Sequence, residues 1–346
     1  MLDPKFVLAN LDLVKKATAD KKALNEHTKL DRLPEIEERR KKAIVEVENL
    51  KSEKNKISKE IGPRMGKLKS LANDQEAFNK ANAEIVELRS KSKAMDDRIA
   101  ELEREQAAME AERDQIMVWI PNVPHESVPA GDSAEQNKIV RTWGQPPKLS
   151  GLAKPHFEIG AKLGILEAER GAVIAGSGWY FLRGDGARLE RALISWFLDV
   201  HRTRHGYEEL LPPFFVTEKT LYGSGQFPKF RDQMYYAPED RLYAIATAEI
   251  PVTAFHCDDV LEEADLPRKY CAFSACFRRE AGAAGADTRG ILRVHQFNKV
   301  EMLKLTTPQT SYAEHEAMLE NAEYLLQQLG LHYRVALLCR GDLGFS

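Results

Sequence analysis

The stretch FRREAGAAGADTRGILRVHQFNKVEM, Phe277 to Met302, sets two runs of alternating charged and apolar residues on either side of a loop of Gly and Ala. Strand side chains alternate between faces, so a period of two assigns them. Phe273, Ala275 and Phe277 share one face, and Ser274, Cys276, Arg278 and Glu280 the other. In the returning run Arg293, His295, Phe297, Lys299 and Glu301 fall together. With Ala281 to Gly290 as the hairpin loop, one sheet face carries Arg278, Glu280, Phe297 and Glu301. Two readings fit. One is the solvated face of an antiparallel sheet. The other is a nucleotide platform, where Arg suits a phosphate oxygen, an aromatic ring suits a purine and a carboxylate suits an amine.

Just upstream, ATAEIP (Ala246 to Pro251) sets Thr247 and Glu249 two apart, on one face if this is a strand. They are ordinary strand and surface residues, or a hydroxyl and a carboxylate that hold a small amino acid. Further strands are expected in WYFLRG (Trp179 to Gly184), RLYAIATAEIP and KYCAFSACFRRE, and a proline-interrupted one in YEELLPPFFV. Amphipathic helices are expected over Gly186 to Gly206 and 311–329. This half of the chain is mixed, with antiparallel strands and flanking helices.

The first third differs. Leu33, Ile36, Arg40, Ala43, Val47, Leu50, Lys54, Ile57 and Ile61 follow alternating spacings of three and four, and a second seam runs from Phe78 to Ile116. GPRMGK (Gly62 to Lys67) is expected to break the helix between them. The two helices then fold back as an antiparallel coiled coil, an arm with too little core to be an enzyme. Its basic residues are the solvated faces of that coil, or they track a phosphate backbone. WIPNVPHESVPAG, Trp119 to Gly131, ends the helical pattern. The expected domains are therefore an arm over 1–118, a linker over 119–131 and a catalytic core over 132–346.

The chain has 346 residues and a net charge of −3, which announces no nucleic-acid partner but averages over local patches. Cys257, Cys271, Cys276 and Cys339 form no C-x-x-C pair, so no metal site is expected from them, and scattered thiols suit a reducing cytoplasm. The N-terminus lacks the pattern of a secretory signal, and no apolar run is long enough to span a membrane.

The order of these segments resembles the bacterial-type seryl-tRNA synthetases over essentially the whole length. The resemblance rests on the N-terminal coiled coil with EKNKISKEIG, the IPNVPHESVP linker, HFEIGAKLGIL, and HGYEELLPPFFV as motif 1 of class II synthetases. LYGSGQFPKF, the TAE of Thr247 to Glu249, and FRRE through RVHQFNKVEM as motif 2 complete it. It implies an α+β class II core on a mixed, mostly antiparallel sheet. It implies serine plus ATP giving seryl-adenylate, then transfer to the 3′ end of tRNA(Ser), with tRNA(Sec) a further acceptor.

Residue by residue, the resemblance implies that Arg278 holds the α-phosphate as the catalytic cation. Arg279, Glu280, Val294 and Phe297 complete the ATP site, with Phe297 stacked on adenine. Thr247, Ala248, Glu249 and Glu301 bind serine. Pro213 lies at the interface of a homodimer, and Ala283 to Arg289 form the loop that meets the tRNA acceptor end. Mg2+ is expected with ATP, its protein ligands lying in a segment that relatives carry after the counterpart of GDLGFS, together with motif 3. On that ground this chain is expected to be weak or inactive. Ala246 stands where the family has Pro, with little effect expected. The alternative is a non-catalytic synthetase-like protein that binds RNA or a partner through its arm.

Overall fold

The computed structural model describes residues 2–70, 74–149, 151–281 and 290–345. Contacts divide the chain into two units, Met1–Gln136 with Cys339–Ser346, and Asn137–Leu338.

In the first unit Asp3 caps α1 (Pro4–Ala9), accepting from the backbone N–H of Lys5 at 2.7 Å, and α2 (Leu11–Asp20) follows. Two long helices come next, α3 (Arg32–Ser70, 39 residues) and α4 (Gln75–Met117, 43 residues). At a rise of 1.5 Å per residue each is about 60 Å long. They run antiparallel: Arg40 bonds Glu110, Lys51 bonds Glu103 and Arg64 bonds Glu84, at 2.9, 2.8 and 2.6 Å. The heptad positions are the buried ones, with Leu33, Ile36, Ala43 and Val47 facing Ile99, Leu102, Met109 and Ile116 in one core. Exposed cross-pairs of this kind contribute roughly 0–1 kcal/mol each, so the seam holds the helices together and the ion pairs set its register.

The expected break at Gly62–Lys67 is absent. α3 continues through Pro63 to Ser70, and α4 starts at the Asp74 cap. Helix cooperativity carries the backbone through this mostly exposed stretch. Arg64 also pairs with Glu60 one turn back, and Arg89 reaches the Met65 sulfur, so the two helices remain joined past the proline.

The second unit contains β1 (Lys138–Trp143), α5 (His156–Lys162), β2 (Leu166–Glu167), α6 (Ala168–Ala175), β3 (Phe181–Leu182), α7 (Asp185–Thr203), β4 (Glu208–Leu210) and β5 (Phe215–Val216). It continues with α8 (Glu218–Gly223), β6 (Tyr236–Ala237), β7 (Leu242–Ala244), α9 (Glu249–Thr253), β8 (Arg268–Phe277), β9 (Gln296–Leu305), α10 (Ser311–Gln328) and β10 (Tyr333–Leu337). Strand β8 is central, with β4 parallel on one side and β9 antiparallel on the other, in register from Arg268↔Leu305 to Phe277↔Gln296. A second sheet, β5–β7–β6, is antiparallel, and β1–β10 and β2–β3 are antiparallel pairs. The fold is α+β, as the sequence implies. Tyr270, Ala272, Ser274 and Cys276 are buried along one face of β8, and Ala248 and Val252 at and beyond the start of α9 pack with Tyr270 and Ala272. The expected WYFLRG strand shrinks to the two residues of β3. RLYAIATAEIP is a strand only over Leu242–Ala244 and turns helical at Glu249. Among the described residues no helix is long and apolar enough to cross a membrane.

Candidate active site

A cleft of about 820 Å³ opens in the second unit where β8 ends and β9 begins. Arg278, Glu280, Val294 and Phe297 line it, and so do Thr247 and Glu249. The ladder explains part of this convergence. Cys276 lies opposite Phe297, Ser274 opposite Lys299 and Ala272 opposite Glu301, so Phe297, Lys299 and Glu301 share a face as the period of two requires. Arg278 follows the last residue of β8. Its backbone N–H donates to His295 O at 2.9 Å, and His295 Nδ1 returns a bond to Arg278 O at 2.9 Å. The guanidinium carbon stands 5.1 Å from the centre of the Phe297 ring, a cation–π contact.

Glu280 reaches the cleft by another route than strand alternation. Strand β8 has ended, and Glu280 adopts a left-handed φ of 51°. Arg293 Nε donates to its carboxylate at 2.5 Å. This ion pair joins the segments that flank 282–289. The expected loop residues Ala283 to Arg289 lie outside the described residues.

At the other end of the cleft, Thr247 and Glu249 do not share a strand face. β7 stops at Ala244, and Glu249 is the first residue of α9. They are joined differently, through the Glu249 backbone N–H, which donates to Thr247 Oγ1 at 3.1 Å. The Thr247 hydroxyl donates to Glu301 Oε2 at 2.7 Å and accepts from Lys299 Nζ at 2.6 Å, and Lys299 also pairs with Glu301. The walls that desolvate the Glu249 carboxyl push its pKa above the usual carboxylate range, and the charge of Glu301 adds to this while Lys299 opposes it.

The remaining expected residues are placed as follows. Glu301 is half-buried behind the Thr247 hydroxyl, and Ala248 is fully buried at the head of α9. Arg279 is not on the cleft wall; its backbone N–H donates to Gln233 O at 2.9 Å. Pro213 is exposed between β4 and β5, away from the cleft, beside the exposed side chains of Leu211 and Phe215. The wall also contains residues to which the sequence assigned no role: Gln226, Phe230, Gln233 and Met234, then Ile291, Leu292, Arg293 and Lys299. Lys299 and Arg293 carried a signal, since alternation puts both on the face of Phe297 and Glu301. Among the described residues no three His, Cys, Asp or Glu side chains converge to hold a metal ion.

Residues 1–124 match the seryl-tRNA synthetase N-terminal domain family, and residues 233–346 match the tRNA synthetase class II core domain (G, H, P, S and T). The chain is 44% identical over 346 residues to a serine–tRNA ligase of Geobacter sulfurreducens and 46% identical to one of Geobacillus kaustophilus. All of this chain aligns with 78% of each relative. Among solved structures it is similar to the Pyrococcus horikoshii seryl-tRNA synthetase complexed with ATP, with a TM-score of 0.87 and 34% identity, covering 100% of this chain and 78% of that one. It is also similar to the cytoplasmic serine–tRNA ligase of Naegleria fowleri in complex with AMP, with a TM-score of 0.82 and 32% identity, covering 100% and 79%.

Proposed function

The chain belongs to the seryl-tRNA synthetases, ligases that join serine to tRNA at the expense of ATP, and on that premise we propose that the cleft at the end of β8 receives both ATP and serine. The observation that carries this reading is the meeting of two unlike groups in one space. Arg278, Glu280, Val294 and Phe297 line it together with Thr247, Glu249 and Lys299, and Glu301 is bonded to the Thr247 hydroxyl. The serine carboxylate attacks the α-phosphorus, a carboxylate–phosphorus bond forms, and the bond to pyrophosphate breaks. Negative charge builds on the phosphoryl oxygens, so the step needs alignment and a cation more than a proton carrier. Arg278 supplies that cation, and its two backbone bonds with His295 fix where it starts. Phe297 offers a face to adenine, Glu280 accepts from its amine, and Val294 closes the apolar edge. Ala248 is the buried support between Thr247 and Glu249, and Arg279 acts outside the cleft wall.

Serine is told from alanine by its hydroxyl. A site whose polar groups pair with that hydroxyl leaves them unpaired when alanine binds, a strong penalty. In the second step the tRNA 3′ end attacks the seryl carbonyl and AMP leaves. Mg2+ would enter with the nucleotide phosphates. The described residues offer no ligand set for it, and no step here is routed through it. Exposed Leu211 and Phe215 beside Pro213 support a homodimer interface at motif 1, and the buried thiols of Cys271 and Cys276 suit the cytoplasm.

Calorimetric titration tests the reading. The chain is expected to bind ATP and L-serine but L-alanine at least about tenfold more weakly, and Arg278→Ala is expected to lose ATP affinity. Binding of tRNA with neither ATP nor serine bound would favour the non-catalytic alternative.

A further inference from the structure

A threonine hydroxyl has one proton and two lone pairs. In Thr247 all three are in use: the proton goes to Glu301 Oε2, and the lone pairs take Lys299 Nζ and the Glu249 N–H. Lys299 closes the ring by pairing with Glu301. Thr247 is 5% exposed and its hydroxyl is fully engaged within this ring before substrate arrives, whereas Glu249 opens onto the cleft. Resting on the reading of this corner as the serine subsite, we propose that Lys299 is a positioning residue. It clamps Thr247 to Glu301, fixes the head of α9 from which Glu249 is presented, and leaves the corner with one net negative charge.

The charge count gives this consequence. Two carboxylates, Glu249 and Glu301, share the corner, and Lys299 offsets one of them. What remains matches a single substrate ammonium group, and Arg278 is left for the α-phosphate. Glu249 is faced by Glu301 and Lys299 on β9, and Arg278 lines the same cleft. Lys299 is the cation nearest both acids. Without it, two like charges face one cavity; Glu301 keeps the hydrogen bond from Thr247, so Glu249 is the carboxyl that takes a proton. A protonated Glu249 accepts poorly from an ammonium group.

The experiment compares the whole chain with Lys299→Met and Lys299→Arg. In the unliganded proteins the Glu249 carboxyl is titrated by carbon-13 NMR, with Glu249→Gln to assign the signal. In K299M the midpoint is expected to rise by about one pH unit or more, and in K299R to stay within a few tenths. Serine binding, measured by calorimetry at pH 7, is expected to weaken by about tenfold or more in K299M and by less than about threefold in K299R. The K299M deficit should shrink as pH rises above its Glu249 midpoint. An unmoved midpoint in K299M overturns the proposal, and so does tighter serine binding, which would make Lys299 a competitor of the substrate. If the unsubstituted chain binds no serine, the subsite reading fails, and the NMR titration alone decides the role of Lys299. The Lys299 side chain is 31% exposed, so K299M should fold; if it does not, the neutral K299Q gives the same midpoint test.

Discussion

Phe297 earns its place by geometry that a single residue can test. Its ring lies under the Arg278 guanidinium and on the wall of the cleft. Stacking of a base on an aromatic ring is worth about 1–3 kcal/mol, so Phe297→Ala should weaken ATP about tenfold or more while Phe297→Tyr stays close to the parent. Equilibrium dialysis with labelled ATP measures this, and equal binding by F297A would remove Phe297 from the adenine site. Phe297, Lys299 and Glu301 were legible in the sequence because β9 is a true strand, and a period of two fixes its faces before any fold is known. Glu280 and Glu249 were also picked out, but for a geometry they do not have. One arrives through a left-handed residue and the other through a helix start, and neither event has a signature in alternation. Arg279 stands differently: it follows Arg278 in sequence, yet its backbone N–H bonds Gln233 and it is not among the residues of the wall. The role of Lys299 stayed hidden because it depends on Thr247, which is 52 positions away.

At the scale of the element, heptad spacing gave the arm its seam, and a list of helix breakers gave it a false end. Gly62 and Gly66 lie inside α3, and a Cβ built on either meets nothing within 4 Å. Glycine in a helix interior costs about 0.5–1 kcal/mol relative to alanine, so the double change Gly62→Ala, Gly66→Ala should stabilise this stretch by about 1–2 kcal/mol. Hydrogen exchange of the amides around Arg64 reads it, and faster exchange in the variant would show that helix cooperativity does not sustain the backbone there. Within the second unit, α7 ends on a pair of imidazoles, His201 and His205, whose Nδ1 atoms are 3.0 Å apart. Only one of these nitrogens can carry the shared proton, and His201 is 2% exposed. Burial, with His205 beside it, lowers the His201 pKa from 6.5 to about 4. The unfolded chain therefore binds the proton first as pH falls, and stability is lost between about pH 6.5 and 4, by about 3 kcal/mol at most. His201→Asn, which can keep the bond to His205, should flatten the slope of unfolding free energy across that window in urea titrations. An unchanged slope would assign the acid sensitivity to carboxylates instead.

For the whole molecule, the proposed reading gives tRNA binding to the arm and ATP and serine binding to the second unit, and the arm offers a clean way to test that division. The Lys51–Glu103 bond marks a level across α3 and α4. Toward the base from that level lie Leu33, Ile36, Ala43, Val47, Met109 and Ile116, and Leu102 adjoins it, together most of the buried seam. Removing residues 52–101 and closing the helices with a short glycine turn therefore keeps that core and discards the distal arm. No residue of the cleft lies in the discarded part. ATP and serine binding should stay within about twofold of the parent, because binding free energy arises from groups that touch the ligand. Binding of tRNA(Ser) should fall by about tenfold or more and lose part of its salt dependence, as contacts to phosphates are removed. Filter binding at two salt concentrations, beside calorimetry with ATP, separates the effects. If both ligand classes weakened together, the arm would be a support of the second unit rather than its tRNA-binding limb. If tRNA affinity were unchanged, RNA recognition would belong to the unit that holds the cleft.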